Sequence, residues 1–154
     1  MAIGIATPPA GTAPEVTATP VTCMVTGSDT NGPIAYLFDT STQTWSATTP
    51  VSGNTPYGQP NSFSGVSCHG LSSCVAVGSN YTSSNTDGPM AELWNGSDWT
   101  LMDTRAVSGS SGTPNFPAFE FASVSCPSAT FCVAVGTKAT AIGYQPEVDS
   151  WGTP

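Results

Sequence analysis

The chain is written as short apolar runs separated by polar stretches rich in Ser, Thr, Gly and Pro. Within the runs VSC (66–68), CVAVG (74–78), AELW (91–94) and WTLM (99–102), β-branched and aromatic residues are set close together, as a half-buried strand requires. No stretch carries a helical period, and the density of Gly and Pro works against helices. The pattern predicts an all-β chain with many turns.

The runs recur. C-x-V-x-G appears at Cys23, Cys74 and Cys132, with offsets of 51 and 58 residues. The longer phrase VSCHGLSSCVAVG (66–78) returns as VSCPSATFCVAVG (124–136). A second phrase follows each copy: GPIAYLFD from Gly32, GPMAELWN from Gly88, and a looser QPEVDSW from Gln145. Trp45 and Trp99 then open a further short run. Four strands per repeat of about 50 residues is the arithmetic of a β-propeller blade. With the strands lettered a (VSC), b (CVAVG), c (AELW) and d (WTLM), the sequence stops after strand c of the third copy. AIGIATPP at the N-terminus is read as the missing strand d. The expected fold is therefore β-propeller-type, three four-stranded antiparallel blades in permuted d-a-b-c order, with repeats at 1–43, 44–97 and 98–154.

Three blades do not close a propeller, which takes four to eight. Completion is expected by oligomerisation or as part of a longer propeller. The N-terminal strand of one chain would complete the last blade of another, giving a six-bladed dimer ring or, without closure, a head-to-tail extracellular fibre.

The repeat gives the cysteines a role. Cys68 ends strand a and Cys74 opens strand b; Cys126 and Cys132 repeat that relation. Cross-hairpin disulfides Cys68–Cys74 and Cys126–Cys132 are expected, each contributing about 2–3 kcal/mol by closing a small loop. A metal centre would need further ligands, and the chain has a single histidine, His69. Cys23 is left as a free thiol, either buried as a small hydrophobe or linking chains. Disulfides imply an oxidising compartment, so the protein is placed outside the cell or on its surface, with a leader absent from this sequence.

Charge narrows the function. Ten acidic residues against two basic ones give a net charge of −8, and only 8% of residues are charged. Nucleic acid is not an expected partner, since nothing displaces phosphate counterions. No apolar run approaches the ~20 residues of a membrane span.

Catalytic constellations are scarce. His69 lies inside the disulfide turn, a poor place for an oriented base. No nucleophile elbow or phosphate-binding glycine loop is present. Paired carboxylates are the remaining enzymatic route, through Glu92, Asp98, Asp103, Glu120, Glu147 and Asp149; they read more simply as solvated surface acids. No cofactor and no metal is expected. The turns SDTNG (28–32) and SNTDG (84–88) read as loop chemistry before calcium sites. Asn80 and Asn95 head glycosylation-type triplets.

The first repeat, with AYLFDTSTQTW, resembles kelch-type propeller repeats. The V-S-C-x5-C-x-A-V-G phrase together with A-E-x-W-N-G-x-x-W resembles the cysteine-bearing propeller repeats of secreted actinobacterial proteins. ELWNGSDW (92–99) is also similar to a stretch of small oligomeric fucose-binding propeller lectins, although no arginine stands on the neighbouring strand. That likeness implies a lectin-like site in which an indole stacks on a sugar while a carboxylate accepts its hydroxyl protons. The candidate ligand-binding residues are Glu92, Trp94 and Trp99, with Asp149 and Trp151 at equivalent positions in the third copy and Tyr36 and Phe38 in the first. Ordinary packing is the competing reading for each tryptophan. The expected function is non-catalytic: a secreted binding module for carbohydrate or a cell-surface protein, or alternatively a self-assembling structural subunit. A glycoside hydrolase ranks third.

Overall fold

The computed structural model describes residues 2–5, 23–52, 61–70, 72–82, 86–104, 119–140 and 142–153. These residues form eleven strands in three antiparallel sheets and, among the described residues, no helix. The first sheet has the order β1 (Ala2–Ile5), β2 (Cys23–Asp29), β3 (Gly32–Asp39), β4 (Thr44–Thr48). In the second the order is β5 (Ser62–Cys68), β6 (Cys74–Thr82), β7 (Thr86–Trp94), β8 (Trp99–Leu101). The third holds β9 (Phe119–Ser128), β10 (Phe131–Thr140) and β11 (Gly143–Gly152), with β10 in the middle.

The all-β class and the division into three antiparallel sheets follow the sequence pattern. The permuted strand order does not. Ala2–Ile5 pairs with β2, with Ile5 opposite Cys23 and Ala2 opposite Thr26. It therefore takes the place of strand a in its own sheet instead of serving as an outermost strand d. The order within the first two sheets is a-b-c-d, and the third has, among the described residues, three strands where four are expected. The physical reason lies in β2, which alternates buried Met24 and Thr26 with half-buried neighbours and so behaves as an interior strand. The first copy has no VSC phrase to flank it, and loop-closure entropy grows slowly enough with length that a distant segment can pair there. Val16 and Thr17, which stand in the sequence where VSC is missing, lie outside the described residues.

The sheets pack in chain order, and the middle one is covered on both faces. Alternation decides which residue faces which neighbour. Toward the first sheet, the second presents Phe63, Val66, Cys68, Cys74, Ala76, Met90, Trp94 and Trp99, which pack with Met24, Ala35 and Leu37. Its other face offers Val75, Val77, Ala91 and Leu93 to Phe119, Phe121, Val124, Cys132, Ala134 and Trp151 of the third. At both contacts, a face carrying aromatics meets one carrying aliphatic side chains.

The repeated phrase now has a physical account. Its cysteines are bonded as expected, Cys68 to Cys74 and Cys126 to Cys132, and Cys23 is free. Its serine ties neighbouring sheets: the Cys126 backbone N–H donates to Ser67 Oγ at 2.9 Å. The closing glycine is needed where strand a bulges against strand b. A Cβ on Gly78 would lie 1.9 Å from the Ser62 carbonyl oxygen, and one on Gly136 would lie 1.9 Å from that of Glu120. A Cβ on Gly27, in the copy lacking the phrase, would meet the Ile34 side chain at 4.0 Å, an ordinary contact.

Candidate functional site

ELWNGSDW spans the end of β7, a tight turn and the start of β8. Glu92 and Trp94 point toward the first sheet because they share the parity of Met90, while Leu93 points toward the third sheet. Glu92 is completely buried. Its carboxylate accepts the backbone N–H of Val51 at 2.8 Å and that of Ser52 at 2.9 Å, and also a hydrogen bond from Ser52 Oγ. Val51 and Ser52 belong to the connection that leaves β4. A strand-c carboxylate of the second sheet thus holds the chain as it exits the first.

The remaining motif residues are engaged in the same way. Trp94 and Trp99 face each other in register with ring centroids 5.6 Å apart, and each is about 95% buried, at 5% and 4% relative exposure. Trp99 Nε1–H donates to Thr48 Oγ1 of the first sheet at 2.9 Å. Asn95 Oδ1 accepts the backbone N–H groups of Ser97 and Asp98, both at 2.9 Å, and so shapes the turn. Gly96 supplies its positive φ of 103°. The residues that resemble a lectin subsite are therefore occupied by inter-sheet packing and turn formation.

The third copy repeats the arrangement. Asp149 stands opposite Ala134 as Glu92 stands opposite Ala76, and it is buried at 8% exposure. Trp151 lies opposite Cys132, as Trp94 lies opposite Cys74. Its indole packs edge-on against Phe121 at 5.8 Å, and its Nε1–H donates to the Asp103 carbonyl at 2.8 Å. In the first sheet the same positions hold Tyr36 and Phe38, opposite Val25 and Cys23. There, among the described residues, no sheet covers them: Tyr36 is 41% and Trp45 49% exposed, with the Phe38 ring tilted against Trp45 at 4.9 Å.

The sequence reading missed Val51 and Ser52. A signal was present: Val-Ser-Gly at 51–53 returns at 107–109, an offset of 56 equal to that between Gly32 and Gly88. The second occurrence lies outside the described residues. The other acids do not gather. Asp98 and Asp103 are exposed, while Glu120 and Glu147 are half-buried on the third sheet. In the SDTNG turn, Asp29 Oδ1 accepts the Asn31 N–H at 2.6 Å, which is loop chemistry; Ser84 and Asn85 of SNTDG lie outside the described residues. No group of three or more His, Cys, Asp and Glu that could hold a metal occurs among the described residues. A cavity of about 230 Å³ adjoins the Glu92 clamp, bounded by Pro33, Tyr36, Ala47, Pro50 and Ser52 among others, and among the described residues no carboxylate, histidine, lysine or arginine lines it.

No family model matches the chain, and neither a curated protein nor a solved structure matches it.

Proposed function

We propose that the chain is a non-catalytic, extracellular module of propeller-type repeats that works by protein association through the two ends of its sheet stack. The observation that carries this reading is the exposure of apolar residues on both outermost faces: Tyr36 and Trp45 on the first sheet, Val135 and Val148 on the third. Contiguous exposed apolar residues on a soluble domain mark interaction surfaces. The candidate sugar-binding residues, by contrast, are turned into the contacts between sheets, where an incoming ligand would have to displace Val51, Ser52 and Thr48. Two disulfides are compatible with an oxidising, extracellular setting. Among the described residues no helix is long and apolar enough to cross a membrane.

A glycan array together with a panel of chromogenic glycosides tests this reading against its rivals. Neither binding nor hydrolysis is expected. Glycan binding abolished by Glu92→Gln, with an unchanged far-UV circular dichroism spectrum and melting temperature, would restore the carbohydrate reading. Hydrolysis abolished by a carboxylate substitution would restore the glycoside hydrolase.

A further inference from the structure

We infer that the two end faces are the separated halves of one interface, and that the partner is a second copy of this chain docked head to tail. The outer face of one copy's first sheet covers the outer face of the other's third sheet. The inference rests on the association reading and names the occupant that reading leaves open.

The register between strands carries it. At the first internal contact the following sheet offers Cys74, Ala76, Trp94 and Trp99, and the preceding sheet offers Met24, Thr26, Ala35 and Leu37. At the second, Cys132, Ala134 and Trp151 meet Val75, Val77, Ala91 and Leu93. Each sheet therefore has a following face and a preceding face, distinguished by strand parity. Among the described residues, the first sheet's following face has no sheet in front of it. Cys23, Val25, Tyr36, Phe38 and Trp45 occupy there the register positions of Cys74, Ala76, Glu92, Trp94 and Trp99. Among the described residues, the third sheet's preceding face has no sheet behind it. Val133, Val135, Val148 and Ser150 stand there where the first sheet has Met24, Thr26, Ala35 and Leu37.

The chemistry of the two uncovered faces agrees with that assignment. Both internal contacts set an aromatic face on an aliphatic one, and the ends offer Tyr36, Phe38 and Trp45 on one side and three valines on the other. Neither set contains a charged residue; on the third sheet the carboxylate of that face is Glu120, half-buried on β9 opposite Thr137. Tyr36, Trp45, Val135 and Val148 are 41%, 49%, 46% and 61% exposed, so burying them removes apolar surface that the single chain leaves in water. Glu92, which clamps Val51 and Ser52 at the first contact, is replaced by Tyr36, so docking buries no carboxylate at that position. Because the two faces differ, the contact is heterologous and propagates into a ring or a filament. It requires no exchange of β1, which is engaged in its own sheet.

Two surface variants, each blocking one face, test the inference by light scattering after size exclusion. Tyr36→Glu leaves the third-sheet face intact, and Val148→Glu leaves the first-sheet face intact. The unmodified chain is expected to run as species of two or more chains, and each variant alone as a single chain. An equimolar mixture should give a species of two chains, joined by the one unblocked pair of faces and prevented from growing by glutamates on the other. Either variant that fails to give the wild-type far-UV circular dichroism spectrum is replaced by Ala47→Glu or Ser150→Glu, which lie on the same exposed faces. Variants that associate as the unmodified chain does, or a mixture that stays at single-chain mass, would overturn the inference. So would an unmodified chain that remains a single chain at all concentrations; if it also binds no glycan, association with a different protein survives while the second copy does not.

Discussion

Replacing Glu92 by alanine is expected to destabilise the fold by about 3 kcal/mol, lowering the melting temperature by roughly 6–12 °C for a domain of this size. The loss has two sources. Truncation leaves a cavity in a contact where the side chain is fully buried, and it strips the acceptors from the Val51 and Ser52 N–H groups. Glu92→Gln keeps the volume but sets an amide NH2 toward one of the two N–H donors, so most of the loss should remain. A sugar-binding carboxylate facing solvent would respond differently, losing affinity while the melting temperature stayed put. Thermal unfolding of both variants, followed by circular dichroism under non-reducing conditions, separates the two roles.

Ile5→Cys is expected to form a third disulfide, with Cys23, within a single chain. Ile5 lies opposite Cys23 as Cys68 lies opposite Cys74, a pair that is bonded. Closing the longer loop between positions 5 and 23 contributes about 3 kcal/mol in the chain-entropy account, or roughly 6–12 °C in melting temperature. Thiol titration under denaturing conditions should find no free cysteine, and non-reducing electrophoresis should show a single-chain band. A disulfide-linked dimer would place β1 on a neighbouring molecule. Two free thiols would mean that the register is wrong.

Much of the fold was legible because the repeat is written in residues with fixed local duties. Cys68 and Cys74 flank a turn short enough to oppose them directly, and Gly78 and Gly136 stand where a bulging neighbour excludes a side chain. The place of β1 was not legible. AIGI carries no marker such as the tryptophans that open β4 and β8, and its partner strand begins 18 positions beyond its own end at Ile5. The lectin-like motif was legible as a motif and ambiguous as a site. Alternation puts Glu92 and Trp94 on one face of β7, but whether that face meets solvent or another sheet depends on packing between repeats. The donors to Glu92 come from residues 40 and 41 positions earlier, in a connection with no strand pattern of its own. Tyr36 and Phe38 show the same limit from the other side. They share the register of Glu92 and Trp94, and differ in environment because, among the described residues, no sheet precedes theirs.

The central claim is that the repeat's most distinctive residues join one sheet to the next. Amide hydrogen exchange at Val51 and Ser52 tests it most directly. Val51 is 54% exposed and sits in a connection, so without its partner its amide would exchange as an open loop does. With Glu92 accepting both N–H groups, the two amides should be protected comparably to those inside β6 and β7, and that protection should vanish in Glu92→Ala. Exchange at unprotected rates in the unmodified chain would contradict the clamp, and with it the assignment of Glu92 to the contact between sheets.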